Sequence, residues 1–290
     1  MKILVTGGSG LIGNNLISRL LIKNVEVYSI DRNISDSSVP YIKIANDFTK
    51  NGDICDLPDK IDCVVHLAQS RNFRDFENKS EDVYRVNTVS TCSLLSYAKR
   101  AGASKFIYAS TGGLYLPTNK SQYINEKSAL VPNDKMNGYY ASKYASEVLT
   151  SPFKDFFSVS IMRFFFVYGD NQHRSMLIPR IFDSVKNGNE ILLNGEEGLH
   201  INPTHVQDAT DALIKSIDIK ESDLYNIAGP DTLSIKTIAD TFGAYLKIKP
   251  KFKILPEIEN DSYSVDIHKM SSSLITPQFS ILNSVKDIDY

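Results

Sequence analysis

The stretch "GYYASK", residues 138–143, sets two tyrosines and a lysine in one short window. In a helix, residues four apart share a face, so Tyr139 lies one turn from Lys143 while Tyr140 points about a quarter-turn away. A free phenol titrates near about pH 10, and an adjacent ammonium favours its anion. The spacing therefore predicts Tyr139 as an acid/base with a lowered pKa and Tyr140 as a packing residue. Tyr-x-x-x-Lys is short and arises by chance in many helices, so it carries chemistry only in a suitable setting.

A second chemical element, "TGGSGLIG" (6–13), stands between a predicted strand and a predicted helix. It fits two spacings, Gly8/Gly10/Gly13 as G-x-G-x-x-G and Gly7/Gly10/Gly13 as G-x-x-G-x-x-G. Glycines there permit a tight turn and close backbone approach, so that a pyrophosphate can meet the free N–H groups of a helix N-terminus. The alternative is a tight turn without a ligand. Against it, the next strand ends at Asp31, about 20 residues on, where a carboxylate grips adenosine ribose hydroxyls. A carboxylate repels a 2′-phosphate, which favours NAD over NADP, with Arg32 alongside as the one opposing charge.

These residues need a scaffold, and the pattern supplies one. Strands are predicted at 2–6, 25–30, 41–44, 62–68, 105–110 and 158–164, with helices at 11–22, near 80–101 and at 138–152. Near-continuous apolar strands alternating with helices imply a parallel sheet covered on both faces. Beyond residue 170 helices are expected at 175–188, 208–217 and 233–246, and strands at 224–229 and 251–255. The fold class is α/β: a doubly wound Rossmann sheet in a dinucleotide-binding domain, 1–168 with a return near 202–228. A smaller C-terminal α/β substrate domain follows, mainly 169–290.

Composition narrows the function classes. The 290 residues carry 32 Lys+Arg against 34 Asp+Glu, a net charge of -2, which gives no electrostatic case for nucleic acid or anionic membrane. No apolar run has the length of a membrane span, and "MKILVTGG" is broken by glycine too early for a signal peptide. Three cysteines without C-x-x-C spacing and five scattered histidines predict neither a disulfide framework nor a metal site. A soluble, reduced, cytoplasmic protein is expected.

With strand, glycine loop, Asp31 and the Tyr139/Lys143 pair in place, the chain resembles the extended short-chain dehydrogenase/reductase family. More narrowly it is similar to the NAD-dependent epimerase/dehydratase branch that works on nucleotide sugars. "GDICD" (52–56) resembles the segment that meets adenine, "HLAQS" (66–70) the H-L-A-A stretch along the cofactor, and "VNTVSTCSLLSYA" (86–98) the N-x-x-G-T-x-x-L-L-x-x-A helix. "YASTGGLY" (108–115) resembles S-S-x-x-x-V-Y, and "RFFFVYG" (163–169) resembles R-x-x-N-V-Y-G. The resemblance implies bound NAD, contacted by Gly7, Gly10, Leu11, Ile12, Gly13, Asp31, Arg32, Asp53, Ile54, Leu67, Ala68, Asn87, Ser110, Tyr139, Lys143 and Phe166. It implies Tyr139 as general acid/base, Lys143 on the nicotinamide ribose and Thr111 hydrogen-bonding the reacting oxygen. Ser70, Thr111 and Gly112 would face a sugar-nucleotide substrate, and the protein would be a homodimer pairing the helices near 80–101 and 138–152.

Several positions depart from the family pattern. Gly112 and Gly113 occupy the places where the sugar 4,6-dehydratases carry an Asp-Glu pair, which argues against dehydration. Phe166 replaces the asparagine that faces the substrate diphosphate, and Ile201 stands where an arginine would grip it. Arg174, Arg180 and His200 are the candidate replacements; the alternative for each is a solvated surface charge. The resulting expectation is an NAD-dependent nucleotide-sugar epimerase that oxidises C4 transiently. A dehydrogenase or ketoreductase of a related sugar, or a non-catalytic dinucleotide-binding regulator, are the other readings.

Overall fold

The computed structural model describes residues 1–32, 39–50, 54, 56–257 and 262–285. They fall into two compact units. The first comprises Met1–Leu114, Val131–Arg163 and Leu213–Tyr225; the second comprises Tyr115–Leu130, Phe164–Ala212 and Asn226–Tyr290.

The first unit is built on β1 (Lys2–Thr6), α1 (Leu11–Ile22), β2 (Glu26–Asp31), β3 (Ile42–Ala45), β4 (Cys63–His66), α2 (Phe76–Tyr84), α3 (Ser90–Arg100), β5 (Lys105–Thr111), α4 (Gly138–Thr150) and β6 (Ser158–Phe164). With a last strand at Asp223–Ile227 they form a seven-stranded parallel sheet, ordered from that strand through β6, β5, β4, β1 and β2 to β3. β1 pairs with β2 on one side and β4 on the other, both in parallel. The strand order therefore reverses at β1, and the crevice at its carboxyl end is where a doubly wound sheet holds ligands. All four residues of β4 and the first six of β5 are buried, as strands covered on both faces require. Leu4, Val64, Phe106, Tyr108, Leu94 and Leu95 share one core cluster.

The glycine loop is fitted to the first crossover. Gly7 sits at φ +73°, a conformation L side chains rarely adopt, and Gly13 is packed so closely that a Cβ would lie 2.2 Å from the Gly7 carbonyl oxygen. Gly10, at the N-cap of α1, offers no side-chain cap. The first N–H groups of the helix thus stay available to a ligand.

The predicted helix near 80–101 begins earlier, at Phe76, and is interrupted by a π turn over Arg85–Val89. Such single wide turns inside helices recur at functional sites, and this one carries Asn87. α4 opens at Asn137, whose side chain accepts a bond from the Tyr140 N–H at 2.9 Å, the usual role of an asparagine N-cap. It gives way to a 3-10 turn, Ser151–Phe153, containing Pro152, which cannot continue an α-helix. The predicted strand 62–68 stops at His66. Leu67 N–H then donates to the Thr6 carbonyl at 3.2 Å, and Ala68 N–H to Thr6 Oγ1 at 3.0 Å.

In the second unit, helices Leu177–Lys186 and Ile235–Leu246 meet through Phe182 and Phe242, their rings edge to face at 5.3 Å. Glu190–Asn194 pairs in parallel with Lys251–Leu255, and His200–Ile201 lies between Leu233–Ser234 and Ser262–Tyr263. No helix among the described residues is long and apolar enough to cross a membrane.

Gly13→Ala forces a methyl group onto the Gly7 carbonyl. A loss of about 1–3 kcal/mol of unfolding free energy is expected from such overpacking, read by urea denaturation of the two proteins side by side.

Candidate active site

Tyr139, Lys143 and Thr111 converge at the carboxyl end of β5. Tyr139 and Lys143 occupy successive turns of α4, and Thr111 ends β5. The Tyr139 hydroxyl donates to Gln69 Oε1 at 2.9 Å. The Phe73 ring lies 5.1 Å from its own, and the Tyr140 ring 5.6 Å. Its phenol is pushed up from its ordinary range by burial, with a Thr111 hydroxyl bond acting the other way and Tyr140 adding to the rise. This reverses the direction that the spacing predicts. The reason is where the ammonium points: Lys143 is buried and its Nζ donates to the Ala109 carbonyl at 2.8 Å. Burial lowers Lys143 to about 7, and Glu147, one turn along α4, opposes that fall.

Behind these residues runs a buried polar column. His66 is held from both ring nitrogens, Nδ1 by Thr6 Oγ1 at 2.7 Å and Nε2 by Thr91 Oγ1 at 3.0 Å. Burial, and then the charge of Lys143, depress it to about 3, so His66 is neutral. Asn87 accepts from the Ser70 N–H at 2.9 Å and donates to Ser142 Oγ at 2.9 Å, which ties the π turn to both the 67–70 segment and α4. Ser70 Oγ in turn donates to Asp82 at 2.8 Å. Glu147 accepts two bonds from Arg163, at 2.9 and 2.6 Å, and one from Ser110 Oγ at 2.5 Å.

The Gly112–Gly113 turn follows directly, with Gly113 N–H donating to Thr111 Oγ1 at 3.2 Å. A Cβ at Gly113 would meet the Tyr140 ring and hydroxyl at 2.5–2.6 Å. Tyr140 thus fills the room that a side chain at 113 would take.

The loop of Gly7, Gly10, Leu11, Ile12 and Gly13 lies against Asp31, whose carboxylate accepts from the Ser9 N–H at 3.0 Å and from Ser29 Oγ at 2.7 Å. Each carboxylate oxygen keeps a further lone pair for a ribose hydroxyl. The uncapped α1 terminus, the close glycine cradle and the carboxylate at the end of β2 together fit a dinucleotide. Arg32 is exposed and acts on Asp47. Ile54 packs on the core of this unit, and Asp53 lies outside the described residues.

Four predicted residues belong to the second unit. Phe166 takes a positive φ of 42°, and its ring meets that of Tyr263 at 6.0 Å. Arg174 is engaged by a two-pronged ion pair with Asp183. Arg180 is exposed on the helix Leu177–Lys186, and His200 is half-buried beside the fully buried Ile201. The sequence reading missed Gln69, Phe73 and Glu147. Glu147 had a signal in its four-residue spacing from Lys143 on the same face; Gln69 and Phe73 meet Tyr139 only through the fold.

A family model described as the NAD dependent epimerase/dehydratase family matches residues 3–228. The chain is 27% identical over 256 residues to the dTDP-D-glucose 4,6-dehydratase of Homo sapiens, covering 82% of this chain and 72% of that one. It is 24% identical over 307 residues to a putative UDP-glucose 4-epimerase of Methanocaldococcus jannaschii, covering 99% and 96%. Among solved structures it is similar to UDP-glucuronic acid 4-epimerase from Bacillus cereus in complex with UDP-glucuronic acid and NAD, with TM-score 0.84, 25% identity, and coverage of 99% and 97%.

Lys143 generates a stability prediction. Its pKa is lower in the folded state, about 7 against 10.5. The unfolded chain therefore binds more protons between those values, and the cost of burying the charge, full below pH 7, is relieved as pH rises through the window. Lys143→Met removes that cost. The stability of the variant relative to wild type is expected to be highest below pH 7 and to shrink towards pH 10, measured by denaturant unfolding across the range.

Proposed function

Because the chain belongs to the NAD dependent epimerase/dehydratase family, as a model matching residues 3–228 establishes, and is an NAD-dependent enzyme of the extended short-chain dehydrogenase/reductase type, we propose that it is a nucleotide-sugar 4-epimerase. The N–H groups at the start of α1, around Leu11, Ile12 and Gly13, would hold the cofactor pyrophosphate, and Asp31 would hold the adenosine ribose. Lys143 would hold the nicotinamide ribose. Bound NAD supplies the hydride acceptor and donor.

Tyr139 takes the proton of the sugar 4-hydroxyl and returns it after the sugar has turned its other face. Its hydroxyl exchanges the bond to Gln69 for one to the substrate, and Thr111 hydrogen-bonds the same oxygen. The raised pKa keeps the phenol protonated until positive charge gathers beside it, from the Lys143 ammonium and the oxidised nicotinamide ring. Of the three cationic candidates for the diphosphate, Arg174 is committed to Asp183, which leaves Arg180 and His200.

The observation that carries this reading is the Gly112–Gly113 turn with Tyr140 packed into it. Elimination of water needs an additional acid and base beside the sugar, and this turn offers no side chains, with the Tyr140 ring standing where one at 113 would begin. That supports reversible oxidation at C4 over the dehydration performed by the human relative. We also infer a homodimer through the faces of the π turn with α3 and of α4, where Val89 and Val148 respectively are exposed; gel filtration reads it directly.

The test of the epimerase reading is to denature fresh protein, quantify released nucleotides by chromatography and mass spectrometry, and assay UDP-glucose and UDP-glucuronic acid. About one NAD per chain and conversion to the 4-epimer without NADH accumulation are expected. Net NADH formation would instead establish a dehydrogenase. Tyr139→Phe is expected to cut turnover by at least about 100-fold with its NAD content unchanged, whereas an unaffected rate would remove Tyr139 from the chemistry.

A further inference from the structure

Arg163 and Glu147 form a buried, two-pronged ion pair that the reaction itself does not call on. Glu147 Oε1 accepts from Arg163 Nε at 2.9 Å and Oε2 from Nη2 at 2.6 Å, and both side chains are about 95% buried. Stability is a poor reason for such a pair. Desolvating two charges offsets most of their attraction, and well-packed apolar residues of the same volume are often as stable or more so.

Its third partner is more informative. Ser110 Oγ donates to Glu147 Oε1 at 2.5 Å, and Ser110 stands between the two β5 residues that the site uses. Ala109 offers the carbonyl that takes the Lys143 Nζ at 2.8 Å, and Thr111 ends the strand, its hydroxyl drawing the Tyr139 pKa down against burial. Glu147 also lies one turn from Lys143 on α4. One carboxylate therefore bonds the end of β5 and lies one helical turn from the lysine, close enough to act on its charge.

We propose that Glu147, clamped by Arg163, is a positioning residue for Lys143 and Thr111. It fixes the end of β5 through Ser110 and provides the negative charge that keeps the Lys143 ammonium protonated for cofactor binding. The groups packed around that ammonium are few. His66 faces it from β4 and is neutral. The Tyr108 ring lies 5.3 Å from Nζ on β5, Tyr139 is on its own helix, and Arg163 on β6 is turned onto the carboxylate. Glu147 is the group that raises the lysine pKa against burial. The role assigned here rests on Lys143 holding the cofactor, as in the proposed function.

The experiment is NADH binding by fluorescence from pH 5 to 10, with thermal denaturation alongside, on wild type, Glu147→Gln, Glu147→Asp and Glu147→Gln/Arg163→Met, each first freed of retained nucleotide. Wild-type affinity is expected to fall as Lys143 loses its proton. In Glu147→Gln the midpoint of that fall is expected about one pH unit lower, since a nearby opposite charge is removed and the Arg163 guanidinium is left uncompensated. Glu147→Asp keeps the charge and should restore the midpoint. The double variant leaves no uncompensated charge, so it tests the same shift if the single variant unfolds; a smaller downward shift is expected. Midpoints equal to wild type, with or without a loss of thermal stability, would reduce the pair to a structural strut and overturn the proposal. So would wild-type affinity independent of pH. Turnover of UDP-glucose is measured separately, so an absence of epimerisation alongside the midpoint shift would defeat the epimerase reading and leave this one standing.

Discussion

The interior behind β4 and β5 is crowded with polar side chains, and the fold of the first unit depends on most of them finding a partner there, the buried Tyr108 hydroxyl being an exception. An unmade bond at such depth costs about 1–3 kcal/mol, so the geometry of α3 and α4 against the sheet is set by bond closure as much as by apolar packing. The π turn shows how closure is reached. The Asn87 carbonyl accepts Thr91 Oγ1 at 2.7 Å and Ser146 Oγ at 2.8 Å, joining α3 to α4 at one atom. The same residue's amide fixes Ser70 and Ser142. Ordinary helical winding through 85–89 would carry that amide away from both.

Electrostatics follow from the same crowding. Burial leaves His66 neutral and brings Lys143 down to about 7, while it holds the Tyr139 phenol protonated. Glu147 and Arg163 add no net charge as a pair, although the carboxylate is the member that acts on Lys143. The resting site is thus close to neutral, and charge placed at its mouth meets little competing charge from the protein. In a medium of low effective dielectric this magnifies the influence of whatever charge is brought in.

Much of this was legible in the residues. The glycine spacing, the carboxylate at the end of the second strand and the four-residue step from Tyr139 to Lys143 are local, and local geometry is what a sequence displays. The direction of the Tyr139 pKa was not, because spacing reports that two side chains share a face and says nothing of the Ala109 carbonyl that draws the ammonium aside. Gln69 and Phe73 were hidden for a related reason: they reach Tyr139 from 70 and 66 residues away, across a contact made by the fold alone. The π turn was hidden too, since "RVNTV" has no residue whose chemistry demands a wide turn.

Tyr140 shows how two apparently separate features of a sequence can be one feature in space. Read along the chain, an extra aromatic after the reactive tyrosine and a pair of glycines 27 residues earlier look unrelated. Packed, the Tyr140 ring stands where a side chain at 113 would begin. Its backbone is anchored by the Asn137 cap, and α4 presents Lys143 and Glu147 to the inner face. A side chain at 113 therefore requires the Tyr140 ring to move aside. The two positions share one space, so the chemistry open to the site is set by a steric fact as well as by which acids the chain carries.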